Sequence, residues 1–168
     1  MSSKQFNVLL VGLGIALVIG LLVLLGRKKT VTTNANPMSP DQRQAIEITP
    51  YARYANWMYA QSGLETGGFT SSLFKNYNNA FGMNLPKKRP FLGNPGPSSS
   101  EGQRAAYDSV RQSWEDVLEW FRYNSFPKNL ENVSEYVAHL KQFGYFTAKE
   151  EDYLAGLRAW ASKLNITL

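Results

Sequence analysis

Hydrophobic positions along the chain fall into one unbroken run and then into stripes. The run "VLLVGLGIALVIGLLVLLG", Val8 to Gly26, contains no charged residue. As a helix rising 1.5 Å per residue it would be about 28 Å long, close to the hydrocarbon thickness of a bilayer. "RKKTVTT" follows directly, where a cleaved signal peptide would carry a small-x-small site. The pattern therefore predicts one retained transmembrane helix, with residues 1–29 as an anchor and its basic flank. Gly12, Ala16 and Gly20 form a small-xxx-small row that suits packing against another helix, although glycine is common in membrane helices generally. From Thr30 to about Glu47 the chain is polar, carries Pro37 and Pro40, and shows no apolar period. Residues 30–47 read as a flexible linker.

From Ile48 onward the period becomes helical. In "TPYARYANWMYAQSGLETGG", Thr49 suits an N-cap and Pro50 the first helical position. Tyr51, Tyr54, Ala55, Met58 and Ser62 recur at three and four, and Gly67 and Gly68 end the pattern. Residues 76–92 are rich in turn formers, and "FLGNPGPSSSE" reads as loop. "AAYDSVRQSWEDVLEWFRYN" then carries Val110, Trp114, Val117, Leu118 and Phe121 on one face. "ENVSEYVAHLKQFG" predicts a helix closed by Gly144. "TAKEEDYLAGLRAWASKL" predicts another, opened by a capping box of Thr147 with Glu150. At most a short hairpin fits between Phe81 and Ala105. Residues 48–168 thus predict a mainly α, or helix-dominated α+β, domain.

Composition narrows the chemistry. The chain has 168 residues, is 43% hydrophobic and contains no cysteine and one histidine, His139. A disulfide framework and a thiolate metal site are excluded, and a histidine-based metal site or triad is disfavoured. No cofactor is implied. The net charge of +5 favours anionic partners such as membranes, wall polymers or nucleic acid without choosing among them. Beyond "PKKRP", Lys87 to Arg89, no basic face is visible, which argues against nucleic acid. Aromatics make up 13%, and such side chains line ligand grooves as well as cores.

One carboxylate stands out. Glu65 falls in the last turn of its predicted helix, where the helix dipole disfavours an anion. Apolar neighbours would raise its pKa further and keep a proton available near neutral pH. A carboxyl so tuned suits general-acid protonation of a glycosidic oxygen. The paired glycines after it would leave room for a polymer. A glutamate before a helix C-cap is more often simply a solvated helix end.

Three blocks raise the weight of the chemical reading. "AQSGLETGGFTSSLFKNYNNAFGMNLPKKRP", "AAYDSVRQSWEDVLEWF" and "LKQFGYFTAKEEDYLAGL" follow one another across nearly all of residues 48–168. They resemble the bacterial and phage glucosaminidase family, the mannosyl-glycoprotein endo-β-N-acetylglucosaminidase-like and flagellar muramidase-type peptidoglycan hydrolases. The resemblance implies a lysozyme-like helical fold with a groove between lobes. It implies cleavage of β-1,4 glycosidic bonds in peptidoglycan glycan strands, with Glu65 as the catalytic acid. Tyr107 matches a tyrosine lining the groove near that acid. Asn79, Phe81 and Gly82 match the block that shapes the floor, and Tyr145 is a further candidate substrate contact. Ser109, Ser113 and Asp116 belong to the second block and read as caps and helix-surface contacts.

The chain departs from the family where many members carry a second acid, in a hairpin between the first two blocks. Only Glu101 stands there. It is either that acid or a solvated loop charge. Without it, the remaining routes are attack by the substrate's own N-acetyl group, a water held by Tyr107 and Asn79, or the lyase chemistry of a lytic transglycosylase. A non-catalytic protein that binds wall glycan is the alternative from another class. Topology adds a tension. Lys4 precedes the apolar run and Arg27, Lys28 and Lys29 follow it, so charge bias puts the domain on the cytoplasmic side, away from peptidoglycan. Either the domain faces the periplasm against that bias, or the anchor sits in the internal membrane of a virion, with the chain a phage lysin.

Overall fold

The computed structural model describes residues 38–100 and 102–168. The expected transmembrane run, with Gly12, Ala16 and Gly20, lies outside the described residues, as does Glu101. Among the described residues no helix is long and apolar enough to cross a membrane.

The domain is mainly helical with one two-stranded antiparallel sheet. In chain order it runs α1 (Pro40–Glu47), a 3-10 turn (Ala52–Tyr54), α2 (Ala55–Glu65), α3 (Ser72–Tyr77), β1 (Asn94–Ser99), β2 (Gly102–Ala106), α4 (Val110–Tyr123), α5 (Val133–Gln142) and α6 (Glu150–Lys163). Helix α2 is the centre. Every residue from Trp57 to Gly63 is buried, because neighbouring elements enclose it on all sides. Its principal partner is α6, and α1 packs on α4. Burying each large side chain contributes about 1.5–3 kcal/mol, and here the payload is aromatic. Tyr51, Tyr54, Phe121, Phe126 and Tyr136 form one cluster, with the Phe121 and Phe126 rings stacked at 4.3 Å. Their hydroxyls are not wasted. Tyr54 donates to the Pro127 carbonyl at 3.1 Å and accepts from the Leu130 amide at 2.8 Å, which ties down the α4–α5 connection.

Four local expectations need correction. The end of the expected linker is helical: α1 buries Ala45 and Ile46 on the core, and Ser39 with Gln42 forms a capping box at its start. Part of the segment read as loop is strand β1. Its "NPGPSS" has little strand propensity, so it is held by backbone pairing to β2, with an irregularity between Pro95 and Ser98. The expected Thr147–Glu150 box does not form. Helix α6 starts after Lys149 with no side-chain cap, and Lys141 takes up the Thr147 and Ala148 carbonyls instead. Of the three serine and aspartate positions on the second block, Ser109 does cap α4, but Ser113 and Asp116 are fully buried.

Candidate active site

The site begins where α2 ends. Glu65 is its last helical residue, and Thr66 forms the stop. The Thr66 hydroxyl donates to the Ser62 carbonyl at 2.6 Å and accepts from the Phe69 amide at 2.8 Å. These two bonds satisfy a carbonyl of the last turn and fold the chain back sharply. Gly68 (φ +76°) follows in the left-handed region, and a Cβ there would meet Trp160 of α6 at 2.5 Å. The space beside this glycine is therefore filled by an indole, and it is not an approach path for a polymer.

The opening faces Glu65 from the other side. Gly82 has φ +62°, and a Cβ placed on it would lie 3.2 Å from Glu65 Oε2. Asn79 builds this turn. Its buried amide donates to the carbonyls of Met83 (2.9 Å) and Ala105 (2.8 Å), and its Oδ1 accepts from the amides of Met83 (3.0 Å) and Phe81 (3.4 Å). One side chain thus closes the loop 79–83 and fastens it to β2. Phe81 anchors the loop in the core, edge-on to Trp114 with ring centroids 5.0 Å apart. Tyr145 holds the same loop from outside, donating to the Phe81 carbonyl at 2.6 Å. Arg104, on β2, donates to the Gly82 carbonyl at 3.0 Å.

Glu65 itself is half-buried. Its Oε1 accepts from the Tyr153 hydroxyl at 2.6 Å. Tyr153 comes from α6 and is set face to face on Phe146, with ring centroids 3.9 Å apart. Gly156, one turn further along α6, lets that helix close on Leu64. Burial pushes the Glu65 carboxyl above its ordinary value, against the opposing pulls of the Tyr153 hydrogen bond and the Arg104 charge. The position at the helix C-terminus works in the same direction as burial. The phenols of Tyr145 and Tyr153 are pushed well up by burial and by the neighbouring Glu65 charge, so both remain hydrogen-bond donors.

A groove of about 580 Å³ runs past these groups. Glu65, Phe81, Gly82, Arg104, Trp120 and Tyr145 are among its walls. Glu65 is the only carboxylate among the described residues that line it. Of the sequence candidates, then, Glu65, Phe81, Gly82 and Tyr145 converge on one groove, and Asn79 lies directly behind it. Tyr107 does not line it. Its buried hydroxyl donates to Asp116 Oδ2 at 2.9 Å, and Asp116 in turn takes both guanidinium nitrogens of Arg89, at 2.7 and 2.6 Å. Burial and the Asp116 charge push the Tyr107 phenol far up, so it too stays a donor. The sequence reading missed Arg104 and Trp120 as groove residues. Neither has a local signal: "GQRAA" follows no motif, and Trp120 looks like one more aromatic of an amphipathic helix. No group of three or more His, Cys, Asp or Glu side chains among the described residues could hold a metal ion.

The sequence matches the family described as Glucosaminidase, mannosyl-glycoprotein endo-beta-N-acetylglucosaminidase, over residues 43–166. No curated protein and no solved structure matches the chain. The matched segment begins inside α1 and contains every residue of the site just described. On that match, the chain belongs to the glucosaminidase family.

Proposed function

We propose that this chain is a peptidoglycan hydrolase that cleaves β-1,4 glycosidic bonds of the glycan strand, with Glu65 as general acid. The observation that carries the reading is the setting of Glu65: a half-buried carboxyl at a helix C-terminus, open to a groove opposite a glycine. Burial keeps it protonated more readily than a free glutamate. Because Tyr153 donates to Oε1, the acid proton belongs on Oε2, the oxygen turned toward Gly82. That proton goes to the bridging oxygen as the C1–O bond breaks, and the leaving sugar departs as an alcohol. The C1 cation is then captured by water, either directly or after attack by the substrate's own acetamido oxygen.

Tyr107 and Asn79 act as positioning residues, since their polar atoms are engaged with Asp116 and the loop backbone. Tyr145 and Arg104 fix the loop that faces the acid. Glu101 remains the candidate for a second acid. Lytic transglycosylase chemistry is the second reading, favoured by the single carboxylate among the described groove residues; there the sugar's own C6 hydroxyl captures C1. The apolar run Val8–Gly26 would tether the domain to a membrane, either the bacterial cytoplasmic membrane with the domain in the periplasm, or the internal membrane of a virion that opens the wall on entry.

Mass spectrometry of products from purified sacculi tests the assignment. The expected product carries N-acetylglucosamine at its new reducing end. N-acetylmuramic acid there would make the chain a muramidase, and an anhydro end a lyase. Release of no fragment at all would leave only a glycan-binding role.

A further inference from the structure

The groove does not end at Trp120. A second hollow of about 280 Å³ shares Pro86, Arg89 and Trp120 with it and continues to Lys87, Lys88 and Tyr123. Both lysines are exposed, and among the described residues neither is paired with a carboxylate. Their loop is nonetheless fixed. Leu85 donates its amide to the Gln103 carbonyl at 2.8 Å, on β2. At the other end Arg89 is driven inward onto Asp116, with only 4% of its side chain exposed. Pro86 and Pro90 bracket the three basic residues and limit the backbone further. The contrast within "PKKRP" is the point: the arginine is spent on the core, and the two lysines are left facing solvent at the mouth of the groove. Trp120 and Tyr123 stand three apart on α4, so they share a face beside the lysines. Tyr123 is 54% exposed, so its ring is open to a ligand beside the lysines.

We infer that this shelf is a binding site for carboxylate groups on substituents of the bound glycan, the peptide stems that muramic acid carries. The inference rests on the peptidoglycan reading above. A strand lying in the main groove has its side substituents emerge along the groove's length, and a stem is a short acidic peptide. Two ammonium groups next to an aromatic face match such a ligand: the charges pair with carboxylates and the rings cover the apolar stem atoms. The shelf would make the protein prefer stem-bearing strands over bare ones.

Equilibrium binding of the full chain to two glycans tests this: strands with intact stems, and strands from which an amidase has removed them, leaving only the single lactyl carboxylate that the cut frees on each muramic acid. The wild type is expected to bind stem-bearing strands on the order of tenfold more tightly, the scale of two exposed charge pairs. The Lys87→Gln/Lys88→Gln double variant is expected to lose that preference, along with most of its salt dependence. Both lysines are exposed, so the variant should fold, and a matching thermal unfolding curve checks this. Equal binding of the two glycans by the wild type, or a preference that survives the double substitution, would overturn the inference. So would equally tight binding of a single-stranded DNA oligomer, which would assign the shelf to phosphate. Cleavage of each strand is scored in the same samples. Absence of cleavage by the wild type counts against the hydrolase reading, and equal wild-type binding of the two glycans with cleavage intact counts against the shelf alone.

Discussion

Glu65 and Asp116 are both carboxylates on core helices, and each accepts a hydrogen bond from a tyrosine hydroxyl. Their surroundings differ in everything else. Asp116 is completely buried, yet it takes two guanidinium nitrogens of Arg89, the Tyr107 hydroxyl and the Leu92 amide. Its charge is met on every side. Glu65 has one hydroxyl, a more distant arginine charge and an open groove. Desolvation without full compensation is what raises a carboxyl pKa. The pair shows one fold holding the same functional group in two settings, a fully compensated buried tie and a half-buried carboxyl whose pKa is raised.

The comparison breaks hardest at Asp116. Asp116→Asn should cost about 3–5 kcal/mol, because it leaves the Arg89 guanidinium buried without its partner. Denaturant unfolding would measure it, and a loss below about 1 kcal/mol would mean that the pair is not the tie it looks like. Gly82→Ala comes next. A side chain at φ +62° costs about 1–2 kcal/mol. The added methyl would also stand 3.2 Å from Glu65 Oε2, so turnover should fall by about tenfold to a hundredfold beyond any loss of stability. Steady-state kinetics on soluble wall fragments would separate the two effects. Tyr153→Phe is the mildest. It keeps the ring on Phe146 and removes only the hydrogen bond that lowers the Glu65 pKa. The acid then holds its proton to higher pH, and the alkaline limb of the pH–rate profile should move upward by less than about one unit. A downward move would reverse the sign of the whole electrostatic account.

Much of this was legible in the chain, and the exceptions follow a physical line. The helices α4, α5 and α6 follow from apolar spacing at three and four, because each presents a buried face, whereas α2 is enclosed on all sides and begins only at Ala55, past the expected Thr49 cap and Pro50. Helix α1 escaped attention because it is short and sits in a polar, proline-bearing stretch; its Ser39–Gln42 capping box was the available signal. The Thr147–Glu150 box shows the converse, since a motif of the right letters lost to tertiary contacts of Lys141. Strand β1 had no local signal, because its pairing to β2 overrides its composition. In the site, the helix end and the family resemblance drew attention to Glu65, which the structure places on the groove wall. Tyr153 belongs to the third resembling block, but its bond to Glu65 was not legible, since it lies 88 residues further on, and Arg104, which arrives on a hairpin, had no signal. Spacing along a chain cannot report such meetings.

The most direct test of Glu65 as the acid is Glu65→Gln, with turnover of sacculi and stability measured on the same preparation. Loss of the proton donor should lower kcat by about 10²–10⁴-fold. Stability should move the other way. A carboxyl whose pKa is raised in the folded state destabilises the fold once it ionises. The neutral amide should therefore be at least as stable as wild type at neutral pH, and the difference should vanish as the pH falls below about 4.3, the value of a free glutamate. An inactive, fully folded Glu65→Gln is the predicted result. A variant that digests sacculi at the wild-type rate would contradict the account.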